Sequence, residues 1–278
     1  ICNPSLEVLD IPAVADIAHA ARAPLMVDAT LVTPALQCPI DLGADLVMHS
    51  ATKFLGGHGV AIGGLLVDGG SFDWEGAAAH FPTLTEPDDG FHHMDFAEES
   101  PIAAFLLRAR REGLRDFGAC LSPMNAFQIL QGIETLGLRM QRHVSNARAL
   151  VAHLAAHPLV ESVAWPELDS HPDKALAARL LPKGCGGVFS FSLKGGRPAG
   201  SSFIEALRLF SHLANVGDAK SLAIHPASTT HFRMSSQALL AAGITEGTIR
   251  LSAGLEDPSD LIEDLDRGLN AVQKAIAR

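Results

Sequence analysis

The run from Asp45 to Gly59 constrains this chain most. Leu46-Val47-Met48 is apolar and reads as a buried strand. It ends in His49-Ser50-Ala51-Thr52-Lys53, and a glycine cluster follows at Gly56, Gly57 and Gly59. Upstream, Pro24-Leu25-Met26-Val27 is a second apolar run, closed by Asp28. Short apolar runs separated by a helix or loops suggest a mainly parallel sheet covered on both faces. Ligand sites of such sheets form outside the carboxyl ends of the strands. Lys53 and Asp28 would both lie there.

A lysine and a carboxylate at the ends of neighbouring buried strands are the pair that pyridoxal phosphate needs. The amine holds the aldehyde, and the carboxylate keeps the pyridine nitrogen protonated. Ser50 and Thr52 add hydroxyls suited to a phosphate. Plainer readings stand beside this one. Asp28 also fits a cap on the next segment, and Ser50 and Thr52 fit local side-chain-to-backbone bonds. The glycines suit either close backbone approach or simple turns, and no Walker lysine or dinucleotide spacing accompanies them.

The rest of the first half alternates. Ile11 to Ala21 has helical apolar spacing, with Asp10 as N-cap and Pro12 in the first turn. Strands are expected at Leu25 to Val27, Ala44 to Met48 and Val60 to Val67. Phe72 to Glu99 is irregular, and Pro101 to Arg111 looks helical. Met124 to Ala156 reads as one long helix, weakened at Gly132 and Gly137 and able to bridge two domains. Beyond it, strands are expected at Val160 to Ala164, Gly187 to Leu193 and Ile249 to Ser252. Helices are expected at Ser202 to Phe210 and Ser259 to Ile276. This mixture suggests a smaller α+β domain. Trp74 and Trp165 read as packing residues, and His225 and His231 as loop or packing histidines.

Composition narrows the function classes. With 21 basic and 31 acidic residues the net charge is -10, which disfavours nucleic acid and anionic membranes as partners. No apolar run approaches the roughly 18 residues of a membrane span, and no signal-peptide pattern opens the chain. Cys2, Cys38, Cys120 and Cys185 show no paired spacing. They read as reduced thiols of a cytoplasmic protein, without a disulfide framework or a metal site. The chain opens on Ile1-Cys2-Asn3-Pro4 and contains no tyrosine. The expectation is therefore a C-terminal piece of a longer protein.

Ser50-Ala51-Thr52-Lys53 resembles the lysine motif of the Cys/Met-metabolism, or trans-sulfuration, family of pyridoxal-phosphate enzymes. Further segments resemble its O-acetylhomoserine sulfhydrylase branch, in the expected order. They are Phe81-Pro82-Thr83-Leu84-Thr85-Glu86-Pro87-Asp88, the Ala126 to Met140 stretch, Asn215-Val216-Gly217-Asp218-Ala219-Lys220-Ser221-Leu222 with Ile224 to His231, and Ile249 to Asp257. The resemblance implies an α/β fold of the aspartate-aminotransferase-like type I class. Residues 1-142 would be the C-terminal part of a mainly parallel, cofactor-binding large domain. Residues 143-278 would form the smaller α+β domain.

The resemblance also implies roles. Lys53 would hold the cofactor covalently and move protons between substrate carbons. Asp28 would pair with the pyridine nitrogen, and Ser50 and Thr52 with the phosphate. Asn3 would contact cofactor and substrate carboxylate. Arg250 would bind the α-carboxylate in a two-pronged contact, with Asn215 and Ser221 beside it. The implied reaction is γ-replacement on O-acetyl-L-homoserine by sulfide or a small thiol, giving homocysteine or methionine and acetate. Alternatives are a methionine or cystathionine γ-lyase or γ-synthase of the same fold, or a non-catalytic scaffold chain. A homo-oligomer, a tetramer of two dimers, is implied as well. The chain departs from the family at Phe91, where a tyrosine is usual. The family's ring-stacking tyrosine and phosphate-loop glycines find no match in it.

Overall fold

The computed structural model describes residues 1–276. Its first sheet has three strands, β1 (Met26–Asp28), β2 (Leu46–Ser50) and β3 (Gly64–Asp68), in the order β1-β2-β3. β1 pairs with β2 in parallel, with Asp28 opposite Met48. The Ile11–Ala20 helix precedes β1, capped by Asp10, whose carboxylate accepts from the Ala13 N–H.

A mainly parallel sheet holds only for that first pair. β3 runs antiparallel to β2, and Leu65, Leu66 and Val67 are exposed. A parallel return normally needs a crossover, usually a helix, whereas a loop suffices for reversal. Residues 51–63 contain no helix, and Gly57 and Gly59 take positive φ there. The expected strand at Val60 therefore begins only at Gly64.

The expected long helix is two helices, Pro123–Glu134 and Leu136–Ala155. Thr135 between them leaves helical geometry at φ -105° and ψ 6°. A Cβ on Gly132 would lie 2.6 Å from the Leu55 carbonyl oxygen, so the first helix presses its backbone onto the loop after Lys53. The second helix buries Met140, Val144, Ala147, Leu150, Val151 and Leu154. Burying each leucine side chain removes apolar surface worth about 1.5–3 kcal/mol.

The second sheet has the order β4-β5-β8-β7-β6. Its strands are β4 (Val160–Ala164), β5 (Val188–Leu193), β6 (Ser211–His212), β7 (Leu222–Ile224) and β8 (Thr248–Ser252). All pairs are antiparallel except β6 with β7. β5 is buried throughout, and Phe191 meets Phe203 edge to face. Phe203 lies on the Gly196–Ala206 helix, which packs on the Pro258–Ile276 helix at Gly268. The helix expected at Ser202 to Phe210 starts earlier and stops at Ala206. Beyond it, the N–H groups of Arg208, Leu209 and Phe210 donate to the buried Asp264 carboxylate. Residues 72–107 gather around a satellite core of Trp74, Leu84, Phe91 and Phe96. Trp74 and Trp165 are buried packing residues, as expected.

Candidate active site

A cavity of about 490 Å³ opens at the carboxyl ends of β1 and β2, and Asn3, Asp28, Thr30, Ser50, Lys53 and Val216 lie along it. Parallel pairing of β1 and β2 is what brings Asp28 and Ser50 to one edge. A turn then carries Lys53 over that edge, its N–H bonded to the Ser50 carbonyl at 3.1 Å.

Lys53 Nζ donates to Asn215 Oδ1 and has no carboxylate within ion-pair reach among the described residues. Burial lowers its pKa below the usual lysine value, and the nearby Arg250 charge lowers it further. A neutral amine is thereby easier to reach than on an exposed lysine, as a nucleophile or base requires. Asp28 lies at the strand end, its Oδ1 accepting from the Thr30 N–H at 2.9 Å. Thr30 Oγ1 in turn accepts from the Ser50 N–H at 2.8 Å and ties the two strand ends together.

Arg250 projects from β8 toward the same place. Its Nη1 donates to Asn3 Oδ1 at 3.1 Å and its Nη2 to the Asn215 carbonyl at 3.2 Å. Among the described residues it forms no salt bridge, and burial lowers its pKa. A half-buried guanidinium held only by neutral oxygens is a ready receptor for a carboxylate. Arg250→Lys should therefore raise KM for amino-acid substrates by about 10- to 100-fold, since lysine keeps the charge but loses the planar fork. Steady-state kinetics check this; an unchanged KM would mean that Arg250 serves only to hold Asn3 and Asn215.

Two expected residues are placed differently. The Thr52 hydroxyl donates to the Gly63 carbonyl at 3.2 Å and accepts from the Gly63 N–H at 3.1 Å, which fastens the loop to the start of β3. Ser221 is fully buried and does not line the cavity. Its hydroxyl donates to Glu256 at 2.8 Å and accepts from the Gly254 N–H at 2.8 Å. Ser221→Ala is expected to cost on the order of 2 kcal/mol of stability, the loss of a buried bond to a charged group. KM should stay unchanged, as denaturant titration beside kinetics would show.

Other contacts join the two sheets at this site. The Ala219 N–H donates to the Gly57 carbonyl at 2.8 Å, and a Cβ on Gly217 would lie 2.7 Å from the Phe54 nitrogen. The 215–221 loop thus rests on the loop that carries Lys53. His49, next to Ser50, is buried with Nδ1 unpartnered, and burial lowers its pKa. His225 is a packing histidine, bonded at one nitrogen to Ser228 Oγ and at the other to the Glu246 carbonyl. Sequence reading missed Thr30, although a hydroxyl two residues after a strand-end carboxylate is a local signal of a turn held by side chains.

Residues 1–270 match the profile of the Cys/Met metabolism PLP-dependent enzyme family. An O-acetyl-L-homoserine sulfhydrylase of Leptospira meyeri is 47% identical over 279 aligned residues, covering 97% of this chain and 63% of the relative. A homocysteine synthase of Schizosaccharomyces pombe is 46% identical, with 97% and 63% covered. The chain thus spans less than two thirds of the length of these curated relatives. Among solved structures, one assigned as an O-acetylhomoserine (thiol)-lyase of Campylobacter jejuni superposes with a TM-score of 0.90 at 36% identity, covering 96% of this chain and 64% of that one. It carries a pyridoxyl-lysine phosphate. A cystathionine gamma synthase of Xanthomonas oryzae, in complex with aminoacrylate and cysteine, gives a TM-score of 0.79 at 37% identity, with 98% and 62% covered.

Proposed function

Because this chain belongs to the Cys/Met metabolism family of pyridoxal-phosphate-dependent enzymes, we propose that it carries the lysine-bearing half of a γ-replacement site for O-acetyl-L-homoserine. Sulfide or a small thiol would be the incoming nucleophile, and acetate the leaving group. One observation carries this reading: a desolvated lysine amine and a guanidinium without a carboxylate partner meet at Asn215, beside a carboxylate-edged cavity. The names of the relatives at 44–47% identity support the choice of substrate.

The donor set fits pyridoxal phosphate. It offers one amine, one carboxylate at a strand end and a hydroxyl at Ser50, around a cavity of about 490 Å³. When bound, the cofactor supplies a ring that accepts electron density from the substrate carbons. In this reading Asp28 holds the proton on the ring nitrogen, and Ser50 donates to the phosphate. Thr52 does so only if its hydroxyl turns away from Gly63. Arg250 and Asn3 take the substrate α-carboxylate, with Asn215 positioned between Lys53 and Arg250. The Lys53 amine would remove the α-proton and then a β-proton as acetate leaves the γ-carbon, and would return one proton to the β-carbon and one to the α-carbon after the nucleophile has added at the γ-carbon.

The division into residues 1-142 and 143-278 belongs to the same reading, supported by the two separate sheets. So does a homotetramer, supported by the exposed apolar side chains of Val60 and Ile62 before β3 and of Leu65, Leu66 and Val67 on it. Cytoplasmic placement is a proposal too; among the described residues no helix is long and apolar enough to cross a membrane.

The test is a product assay. O-acetyl-L-homoserine with sulfide should give homocysteine and acetate in equal amounts, while methionine or cystathionine alone should give little oxo acid. The reverse preference would favour the lyase alternative. No turnover of any of these by the cofactor-loaded whole protein would favour the scaffold.

A further inference from the structure

Among the described residues, Arg139 is a buried cation without an anion. It lies on the Leu136–Ala155 helix, is 5% exposed, and forms no salt bridge among the described residues. Its partners are neutral oxygens. Nη1 donates to the Phe54 carbonyl at 2.8 Å, and Nη2 to the Leu55 carbonyl at 3.1 Å and the Gly132 carbonyl at 2.7 Å. Nε donates to Thr135 Oγ1 at 3.2 Å. Burying a guanidinium is costly unless its donors are satisfied. A residue that served only to close the end of the Pro123–Glu134 helix would need the Gly132 bond alone. Two of the four bonds go instead to the peptide groups that directly follow Lys53.

The surroundings are built for that contact. Gly57 has φ +71°, and a Cβ there would overlap the Arg139 guanidinium. A Cβ on Gly132 would overlap the Gly56 carbonyl. The loop closes on itself through Gly56 N–H to the Ala51 carbonyl at 2.9 Å and Gly57 N–H to the Lys53 carbonyl at 2.7 Å. On its other side Ala219 holds the Gly57 carbonyl. The backbone from Lys53 to Gly57 is thus gripped between the helix and the 215–221 loop.

We propose that Arg139 is a positioning residue for Lys53: its guanidinium clamps the Phe54 and Leu55 peptides and so fixes where the Lys53 amine enters the cavity. The proposal rests on the reading of Lys53 as the reacting amine. Charge-assisted bonds to two successive carbonyls fix two peptide planes, which a single neutral donor cannot do. Lysine at this position keeps the charge and loses the fork.

The test compares Arg139→Lys, Arg139→Ala and Gly132→Ala with the wild-type chain. The last variant lifts the loop while leaving the arginine in place, so the idea stays testable if removing Arg139 prevents folding. In all three, kcat should fall by about 10- to 100-fold, the scale of a small misplacement of a reacting group. KM should stay within about twofold, because ground-state binding is untouched. Millimolar guanidinium should restore part of the loss in Arg139→Ala and none in Gly132→Ala. In the cofactor-free chain, the Gly56 and Gly57 amides should exchange at least about tenfold faster, while those of β5 stay protected. Acylation of the Lys53 amine at fixed pH should change rate along with them.

Unchanged kcat with unchanged loop exchange in the folded variants would overturn the proposal. So would faster exchange throughout the molecule with kcat intact, since that is the signature of a merely structural arginine. If the wild-type chain fails to turn over O-acetyl-L-homoserine, the proposed reaction falls, yet exchange and Lys53 acylation in the cofactor-free chain still decide the clamp.

Discussion

Lys53→Ala should abolish covalent cofactor attachment and lower turnover by about 10⁴-fold or more, the upper range for loss of a positioned acid–base group. The reason is local. Among the residues that line the cavity, Lys53 carries the only side-chain amine. Lys220, the lysine of the 215–221 loop, is exposed and does not line the cavity; its backbone N–H donates to Asp218. No neighbour can take over both attachment and proton transfer. Absorbance in the visible range reads the first loss and product formation the second. The fold should survive, since Lys53 makes one side-chain bond, to Asn215. A variant that retained the visible band and turnover would show that the amine lies elsewhere.

Asp28→Asn should leave cofactor binding largely in place and reduce turnover by about 10²- to 10³-fold, the scale for losing one preorganised electrostatic partner. The amide is nearly isosteric, and its oxygen can still accept from the Thr30 N–H, as Asp28 Oδ1 does at 2.9 Å. The turn is therefore kept and only the charge is lost. A neutral amide cannot hold a proton on the ring nitrogen, so the charge that develops during proton removal is less well stabilised. Stopped-flow measurement of α-proton exchange isolates that step. Near-normal exchange would reduce Asp28 to the cap it also resembles.

Both residues were legible because short apolar strands end at them. The strand period and the abrupt change to Asp28 or to Ser50-Ala51-Thr52-Lys53 are local facts, and parallel pairing of β1 with β2 then brings the ends together. What was not legible lies in contacts between distant segments. The helix break at Thr135 lies one turn from Gly132, whose absent side chain leaves room for the backbone of Leu55 and Gly56. Ser221 was expected beside the substrate carboxylate, yet its hydroxyl donates to Glu256, 35 residues on. Arg139 reads as an ordinary helical arginine until its bonds to Phe54 and Leu55, some 85 residues away, are seen. β6 and β7, of two and three residues, carry too little periodicity to announce themselves; β7 pairs with the edge of β8, and β6 with β7. The direction of β3 followed from a loop conformation that the apolar pattern does not encode.

The Lys53 amine is the proposed point of covalent attachment. The most direct measurement is to load the protein with pyridoxal phosphate, reduce it with borohydride, digest it and locate the adduct by mass spectrometry. The label should fall in the peptide His49-Ser50-Ala51-Thr52-Lys53-Phe54 and be lost in Lys53→Ala. A label on Lys220 or another lysine, with Lys53 unmodified, would contradict it.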